Sequence, residues 1–228
     1  MKAPTPPNEK KRLEVLWQYD VLDSVPEEVF DELTELAAHI CEAPVALITL
    51  VDETRQWFKA KVGTTLNETS RDISFCGHAI CQSDLFIIPD ATKDERFSEN
   101  PLVTSEPKIR FYAGAPLVTP DGHALGSLCV IDQIPRELRT EQKQALRVLA
   151  RHVMTQLELR RRSQELAHVR QEREEIQADL KQAHAELDNI RRELNNSKQN
   201  AAPRPLSVRA KAKSKARMPA KKSKKSRK

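Results

Sequence analysis

The sequence predicts an α+β fold, in which one antiparallel sheet packs against helices that come from the two ends of a domain. The first observation is that apolar runs of strand length fill the middle of residues 8–157. The second is that apolar residues at helical spacing lie at both ends of that range. The third is that all five glycines, Gly63 to Gly126, lie inside it. Beyond residue 157 the sequence predicts a long coiled-coil helix and then a disordered basic tail.

Two helices are predicted before the first strand. Leu13, Leu16 and Trp17 repeat at helical spacing. Ser24 followed by Pro26 predicts the start of a second helix, which Pro44 ends. The apolar stripe of this second helix consists of Val29, Phe30, Leu33, Leu36, Ala37 and Ile40.

Apolar runs bounded by turn residues predict the strands. The first two form a hairpin, and the last two form another hairpin around Pro120-Asp121-Gly122, a sequence typical of turns. Thr140 then predicts the cap of a helix with Leu146, Val153 and Leu157 on its apolar face. The predicted strands span residues 45–51, 56–62, 85–88, 110–118 and 124–131.

Composition excludes several classes of protein. No apolar run approaches the roughly 20 residues that a membrane-spanning helix needs, and the first 25 residues hold no apolar segment of a secretory signal. Four cysteines in 228 residues do not make a disulfide scaffold. We therefore expect a cytoplasmic protein without a membrane span.

Residues 158–195 predict a parallel two-stranded coiled coil. They contain no Gly or Pro, and apolar residues recur at heptad positions a and d. Every g position is acidic, which would pair Glu165 with Arg170 and Glu186 with Arg191 of a second chain. We expect a homodimer through Leu159–Leu194. The alternative is one solvated helix that folds back on the preceding domain.

Residues 196–228 predict a disordered Lys/Arg-rich tail, because they contain too few apolar residues to build a core. Residues 201–228 carry a charge of +12 and no acid, so the net charge of +5 leaves −7 for the first 200 residues. Such a tail is expected to bind DNA or RNA without sequence preference, and the alternative is a solubilising tail. The cationic residues are Arg204, Arg209, Lys211, Lys213, Lys215, Arg217, Lys221, Lys222, Lys224, Lys225, Arg227 and Lys228.

Several motifs follow one another in a specific order within residues 8–160. They are Arg71-Asp72-Ile73-Ser74-Phe75-Cys76-Gly77-His78-Ala79-Ile80, Pro89-Asp90-Ala91-Thr92, Asp94-Glu95-Arg96-Phe97, Asn100-Pro101-Leu102-Val103, the run 109–117 and the run 122–132. In this order the chain resembles a GAF domain, the small-ligand sensory module of bacterial signalling proteins. It is most similar to the subgroup that precedes histidine kinase or diguanylate cyclase domains. The resemblance implies a sheet of five or six strands, with the terminal helices on one face and a ligand pocket on the other.

The sequence shows no output enzyme domain of the kind that usually follows in this subgroup. It has neither a phosphoacceptor histidine motif nor a Gly-Gly-Asp-Glu-Phe motif. We therefore expect no enzymatic activity, and a signal that passes through the coiled coil to the tail or to a separate output protein.

The candidate pocket combines aromatic side chains with a few polar groups, as small-molecule sites do. Arg110 could hold a carboxylate or phosphate; alternatively it pairs with Asp90 or Asp94 and the aromatic residues are simple core. The candidates are Phe75, Cys76, His78, Asp90, Phe97, Arg110, Phe111, Tyr112, Cys129 and Asp132.

The cysteines leave one further alternative open. Cys76, His78 and Cys81 lack the paired spacing of a zinc site, so we expect no metal, no cofactor and no catalytic residue. Some GAF domains reduce free methionine sulfoxide with cysteines, and a thiol-dependent reductase using Cys76 or Cys81 is therefore one alternative function. A nucleoid-associated DNA-binding protein is the other.

Overall fold

The computed structural model describes residues 2–200, and it confirms the α+β class. Contacts group the chain into two units, Met1–Gln171 and Glu172–Lys228, the second of which is described as far as Asn200. The elements are α1 (Glu9–Gln18), α2 (Glu28–Cys41), β1 (Val45–Val51), β2 (Arg55–Val62), β3 (Glu68–Ser70), a 3₁₀ turn (Arg71–Ile73), α3 (Phe75–Ala79), β4 (Phe86–Ile88), α4 (Pro101–Thr104), β5 (Phe111–Val118), β6 (Ala124–Asp132) and α5 (Thr140–Asn200).

The first unit is built on one six-stranded antiparallel sheet in the order β3-β2-β1-β6-β5-β4. Strand β1 lies between β2 and β6 and is buried along nearly its whole length. Its side chains alternate between two cores: Ala46, Ile48 and Leu50 face one, and Leu47 and Val51 face the other. A strand covered on both faces reads as a continuous apolar run, which is why the sequence predicted it.

The core on one face of the sheet contains the long helices. Leu16 of α1, Phe30 of α2 and Leu146 and Val153 of α5 are fully buried there. The structure thus confirms that the terminal helices lie together on one face.

Two predicted helix caps are wrong. Helix α2 begins at Glu28, because the Ser24 hydroxyl donates to the Val21 carbonyl at 2.7 Å and accepts from Lys59 at 2.9 Å. Thr140 is the first residue of α5 rather than its cap. There the Gln142 side chain reaches back to accept the Arg139 N–H at 3.0 Å, which is the return half of a capping box.

The second unit is described as a helical segment, from Glu172 to the end of α5 at Asn200. Its apolar residues are exposed, among them Ile176 at 67% and Leu187 at 61%. The domain limits 8–157, 158–195 and 196–228 stay predictions, and the tail lies outside the described residues. Within residues 2–200, no helix has the combination of length and hydropathy needed to cross a bilayer.

Candidate small-molecule site

A pocket of about 260 Å³ lies on the sheet face opposite the long helices. Its lining residues come from strands β1, β2, β3, β5 and β6, from helices α3 and α4, and from the loops that follow β2 and α4. Most of the lining is apolar, with Leu47, Phe58, Phe75, Ile109 and Ile131 among the contributors. A cavity that is mostly apolar with a few polar groups has the character of a small-molecule site.

An aromatic cluster closes one side of the pocket. Phe75 stacks on Phe97 with ring centroids 4.0 Å apart, and Tyr112 lies 5.2 Å from Phe75. The Ser74 hydroxyl accepts the Gly77 N–H at 3.0 Å and so caps α3, which fixes Phe75 at its first turn. The His78 ring lies 4.7 Å from Phe97 in an edge-on contact.

The environment of His78 keeps its ring uncharged near neutral pH. Burial lowers the pKa of His78 to about 4, and the positive charge of Arg96 acts in the same direction. His78 belongs to the aromatic cluster and does not line the cavity. Its chemistry is therefore that of a neutral packing group.

A small polar cluster is buried beneath the pocket. The sulfur atoms of Cys76 and Cys129 lie 3.7 Å apart, and the Tyr112 hydroxyl contacts Cys76 Sγ and Ser127 Oγ, both at 3.2 Å. Burial raises the pKa of Cys129 and of Tyr112. At Cys76, hydrogen bonds from Cys129, Ser127, Thr49 and Tyr112 outweigh the opposing effect of burial and lower the pKa to about 7. The cluster thus leaves one thiol more acidic than its neighbour.

The structure separates Cys81 from this thiol pair. Cys81 is exposed, and its sulfur lies 3.7 Å from the Gly77 carbonyl oxygen. Among residues 2–200, no three His, Cys, Asp or Glu side chains gather closely enough to hold a metal ion.

Arg110 and Asp90, two of the polar residues predicted for the pocket, do not line the cavity. The Arg110 guanidinium donates to the carbonyls of Val103 at 2.9 Å and Ile109 at 3.1 Å, and it pairs with neither Asp90 nor Asp94. Asp90 accepts from Thr92 in a turn and pairs with Lys93. Arg110 therefore stabilises the loop beside the pocket.

Of the ten pocket candidates, the structure brings four to the cavity wall. These four are Phe75, Cys76, Tyr112 and Asp132. Phe97, His78 and Cys129 belong to the same core as the cavity but lie behind its wall. Phe111 points into the core of the long helices, because it neighbours Tyr112 on a strand and adjacent side chains face opposite ways.

The sequence reasoning missed four polar residues of the lining, which are Gln56, Thr64, Thr69 and Gln133. Gln56 and Thr69 line the cavity, and Gln56 is 5% exposed. They are direct partners across the β2–β3 ladder, so their side chains share one face. Gln56 could have been found from the sequence, because it is two residues from Phe58 on one strand. Residues at that spacing lie on the same face of a sheet, so Gln56 places a polar group beside an aromatic ring.

A curated relative is similar in sequence to a large part of this chain. It is the cyclic di-GMP phosphodiesterase PA2567 of Pseudomonas aeruginosa, 44% identical over 155 residues, which is 68% of this chain and 26% of the relative. This chain thus spans about a quarter of the relative's length. The expectation of no enzymatic activity is contradicted by this finding, because the relative is named as an enzyme.

One solved structure shows the same fold, and a second is reported as similar. The GAF domain of a phosphoenolpyruvate-protein phosphotransferase from Coxiella burnetii superposes with a TM-score of 0.52 at 16% identity, covering 69% of this chain and 97% of that one. The GAF domain of the Acinetobacter phosphoenolpyruvate-protein phosphotransferase gives 0.47 at 19% identity, covering 64% and 92%.

The family comparison agrees with the geometry described above. The GAF domain family matches residues 25–157, which contain the whole sheet and the start of α5. The resemblance inferred from the motifs is confirmed, and the chain belongs to the GAF domain family.

Proposed function

We propose that this GAF domain binds a small molecule in the pocket and thereby controls the hydrolysis of cyclic di-GMP. The observation that carries the proposal is the pocket itself, a largely apolar cavity of about 260 Å³ on the sheet face away from the long helices. The relative named as a cyclic di-GMP phosphodiesterase supplies the reaction class. The proposed setting is the cytoplasm.

A chain of contacts supports transmission from the pocket to α5. Phe58 lines the pocket, and the next residue, Lys59, has a fully buried side chain. Its ammonium donates to Glu27 Oε1 at 2.6 Å, and Arg160 of α5 donates to the same oxygen at 2.9 Å. Arg160 also donates to the carbonyls of Tyr19 and Asp20. A ligand that displaces Phe58 would therefore bias the position of α5.

We further propose that α5 joins two chains in a parallel coiled coil. Its a and d residues within residues 159–194 include large apolar side chains that are more than half exposed, such as Leu166 at 58% and Leu187 at 61%. The same heptad register continues backwards to Ala145, Val148 and His152, which form an apolar surface with Leu36 of α2. A second chain would cover this surface.

Pocket-filling variants test the proposed function. Ile131 lines the pocket, and Ile131→Trp should occupy it, whereas Ile134→Trp at a 58% exposed position is the matched control. The measurements are the cyclic di-GMP concentration in cells of the source organism and its hydrolysis by the purified full chain. We expect a several-fold change with Ile131→Trp and none with the control. Equal cyclic di-GMP in wild-type, Ile131→Trp and deletion cells would contradict the proposal.

A second candidate function rests on the basic tail. The +12 charge of residues 201–228 favours contact with nucleic acid by counterion release. Removing these residues should abolish retention on DNA while the fold of the rest is unchanged by circular dichroism. The logarithm of the binding constant should fall with the logarithm of salt by about 0.9 for each phosphate neutralised. Retention that survives the truncation would remove this candidate.

A further inference from the structure

Two polar atoms in the pocket wall have no hydrogen-bond partner among the described residues. They are Gln56 Oε1 and Thr69 Oγ1, and both are buried. Most buried polar atoms in folded proteins are hydrogen-bonded, so an unpaired one calls for an explanation. Gln56 and Thr69 are direct partners across β2 and β3, so both side chains lie on the sheet face that forms the mostly apolar pocket wall.

The charges around the pocket exclude anions. No Lys, Arg or His lines it within the described part of the chain, and its one acidic residue, Asp132, faces Arg136 at 3.3 Å. A phosphate or carboxylate held here would be buried without a cation, which is strongly unfavourable. A cyclic dinucleotide, with two phosphates, is therefore a poor ligand for this cavity.

The volume limits the size of the ligand. A dry apolar cavity of about 150 Å³ is known to hold one benzene molecule. By proportion, 260 Å³ accommodates a molecule of about ten non-hydrogen atoms. This is the size of one ring with a small substituent, and it is far smaller than a cyclic dinucleotide.

We infer that the pocket takes a small, uncharged, mostly apolar molecule with an amide or lactam edge, and that Gln56 and Thr69 bind this edge. An amide presents a donor beside an acceptor, so that its N–H donates to Gln56 Oε1 and the Thr69 hydroxyl donates to its carbonyl oxygen. The apolar body of the molecule packs against Phe58, Phe75 and Ile109. This inference rests on the proposed function, since it names the ligand class of the same pocket.

The test compares three probes of similar size on the full-length chain. Benzamide carries the neutral amide edge, benzoate is its anionic counterpart at pH 7.5, and toluene has no polar edge. Binding is measured by ligand-observed NMR and calorimetry. We expect benzamide to bind at least tenfold more tightly than either of the others and to be blocked by Ile131→Trp.

Two nearly isosteric variants identify the residues that bind the amide. Gln56→Met and Thr69→Val should each weaken benzamide binding about tenfold while toluene binding is unchanged or improved. Gln82→Met, at an exposed position outside the pocket, is the control and should bind benzamide like the wild type. Circular dichroism melts verify that each variant folds. Because the two substitutions lie on different strands, the test remains possible if one of the two variants does not fold.

The outcomes separate this inference from the proposed function. If the probes bind and Ile131→Trp blocks them, the ligand pocket stands. The amide class is then wrong if benzamide binds no more tightly than benzoate and toluene, or if it binds Gln56→Met and Thr69→Val as tightly as the wild type. If none of the three probes binds the wild-type chain, both the ligand class and the ligand pocket are overturned.

Discussion

At the scale of single residues, one carboxylate holds two buried arginines. Glu9 accepts from Arg12 Nη2 at 2.7 Å and from Arg71 Nη1, and the Arg12 side chain is only 1% exposed. Arg71 also donates to the carbonyl of Asp52 at 3.0 Å. Arg71 opens the motif on which the sequence resemblance depends, and its role is to fasten the β1–β2 turn to α1.

Glu9→Gln should destabilise the domain by about 2 kcal/mol near neutral pH, because it leaves two buried cations without their anion. Glu14→Gln is the control, since Glu14 pairs with Lys11 at a largely exposed site worth less than about 1 kcal/mol. Urea unfolding at pH 7 measures both differences. Equal free energies of unfolding for the two variants would contradict this role of Glu9.

The same contact makes a pH-dependent contribution to stability. Burial raises the pKa of Glu9, but hydrogen bonds from Arg12 and Arg71 outweigh it and lower the pKa from 4.5 to about 2. Because the folded-state pKa is the lower one, the stabilisation is complete above pH 4.5 and is lost as the pH falls towards 2. The stability difference between wild type and Glu9→Gln should therefore shrink over this interval in urea titrations repeated at each pH.

At the scale of elements, the close approach of β1 and β6 depends on Gly126. A Cβ atom placed on Gly126 would lie 1.8 Å from the Thr49 carbonyl oxygen, which is backbone of the neighbouring strand. The two strands can separate only by breaking the ladder at the centre of the sheet.

Gly126→Ala should therefore lower the free energy of unfolding by more than 3 kcal/mol, at the upper end of the range for single substitutions. Gly122→Ala is the comparison: it has open space around it, and only its positive φ of 84° opposes the change. This should cost about 1 kcal/mol. Denaturant melts of both variants test the order, and a Gly122→Ala variant that is the less stable of the two would refute it.

The sequence predicted most elements because they are long and apolar, and it missed those that are neither. Strand β3 consists of Glu68, Thr69 and Ser70, three polar residues with no apolar alternation to mark a strand. Ser24 has the residue type of a helix cap, but its hydroxyl donates to the Val21 carbonyl before the helix and accepts from Lys59 of strand β2. It is therefore not available to cap the helix. Local patterns do not contain such tertiary contacts.

The candidate site was predictable in location more than in composition. The motif around Phe75 and Cys76 led to the pocket wall, but Gln56 and Thr69 come from two strands joined only by the sheet. Their common face follows from the register, which a single sequence does not specify when one partner strand is unrecognised.

At the scale of the whole molecule, the proposed coiled coil predicts an oligomeric state that depends on one face of α5. Leu187→Glu places a charge at an a position, whereas Ala185→Glu places the same charge at an outward f position. Sedimentation at micromolar concentration should give a dimer for the wild type and for Ala185→Glu, and a shift towards monomer for Leu187→Glu. A wild-type monomer would rule out the coiled coil.

Strand β1 separates the two hydrophobic cores of the first unit and contributes side chains to both. Ile48 packs in one core, and the adjacent residue Leu47 packs in the other. A change in packing on one face of the strand therefore shifts its backbone and alters the packing on the other face. Evolutionary drift in what the pocket accommodates should therefore be accompanied by substitutions at Ala46, Ile48 or Leu50, on the side that the occupant never touches. A library selected for altered ligand preference should recover such substitutions as frequently as changes in the pocket lining itself.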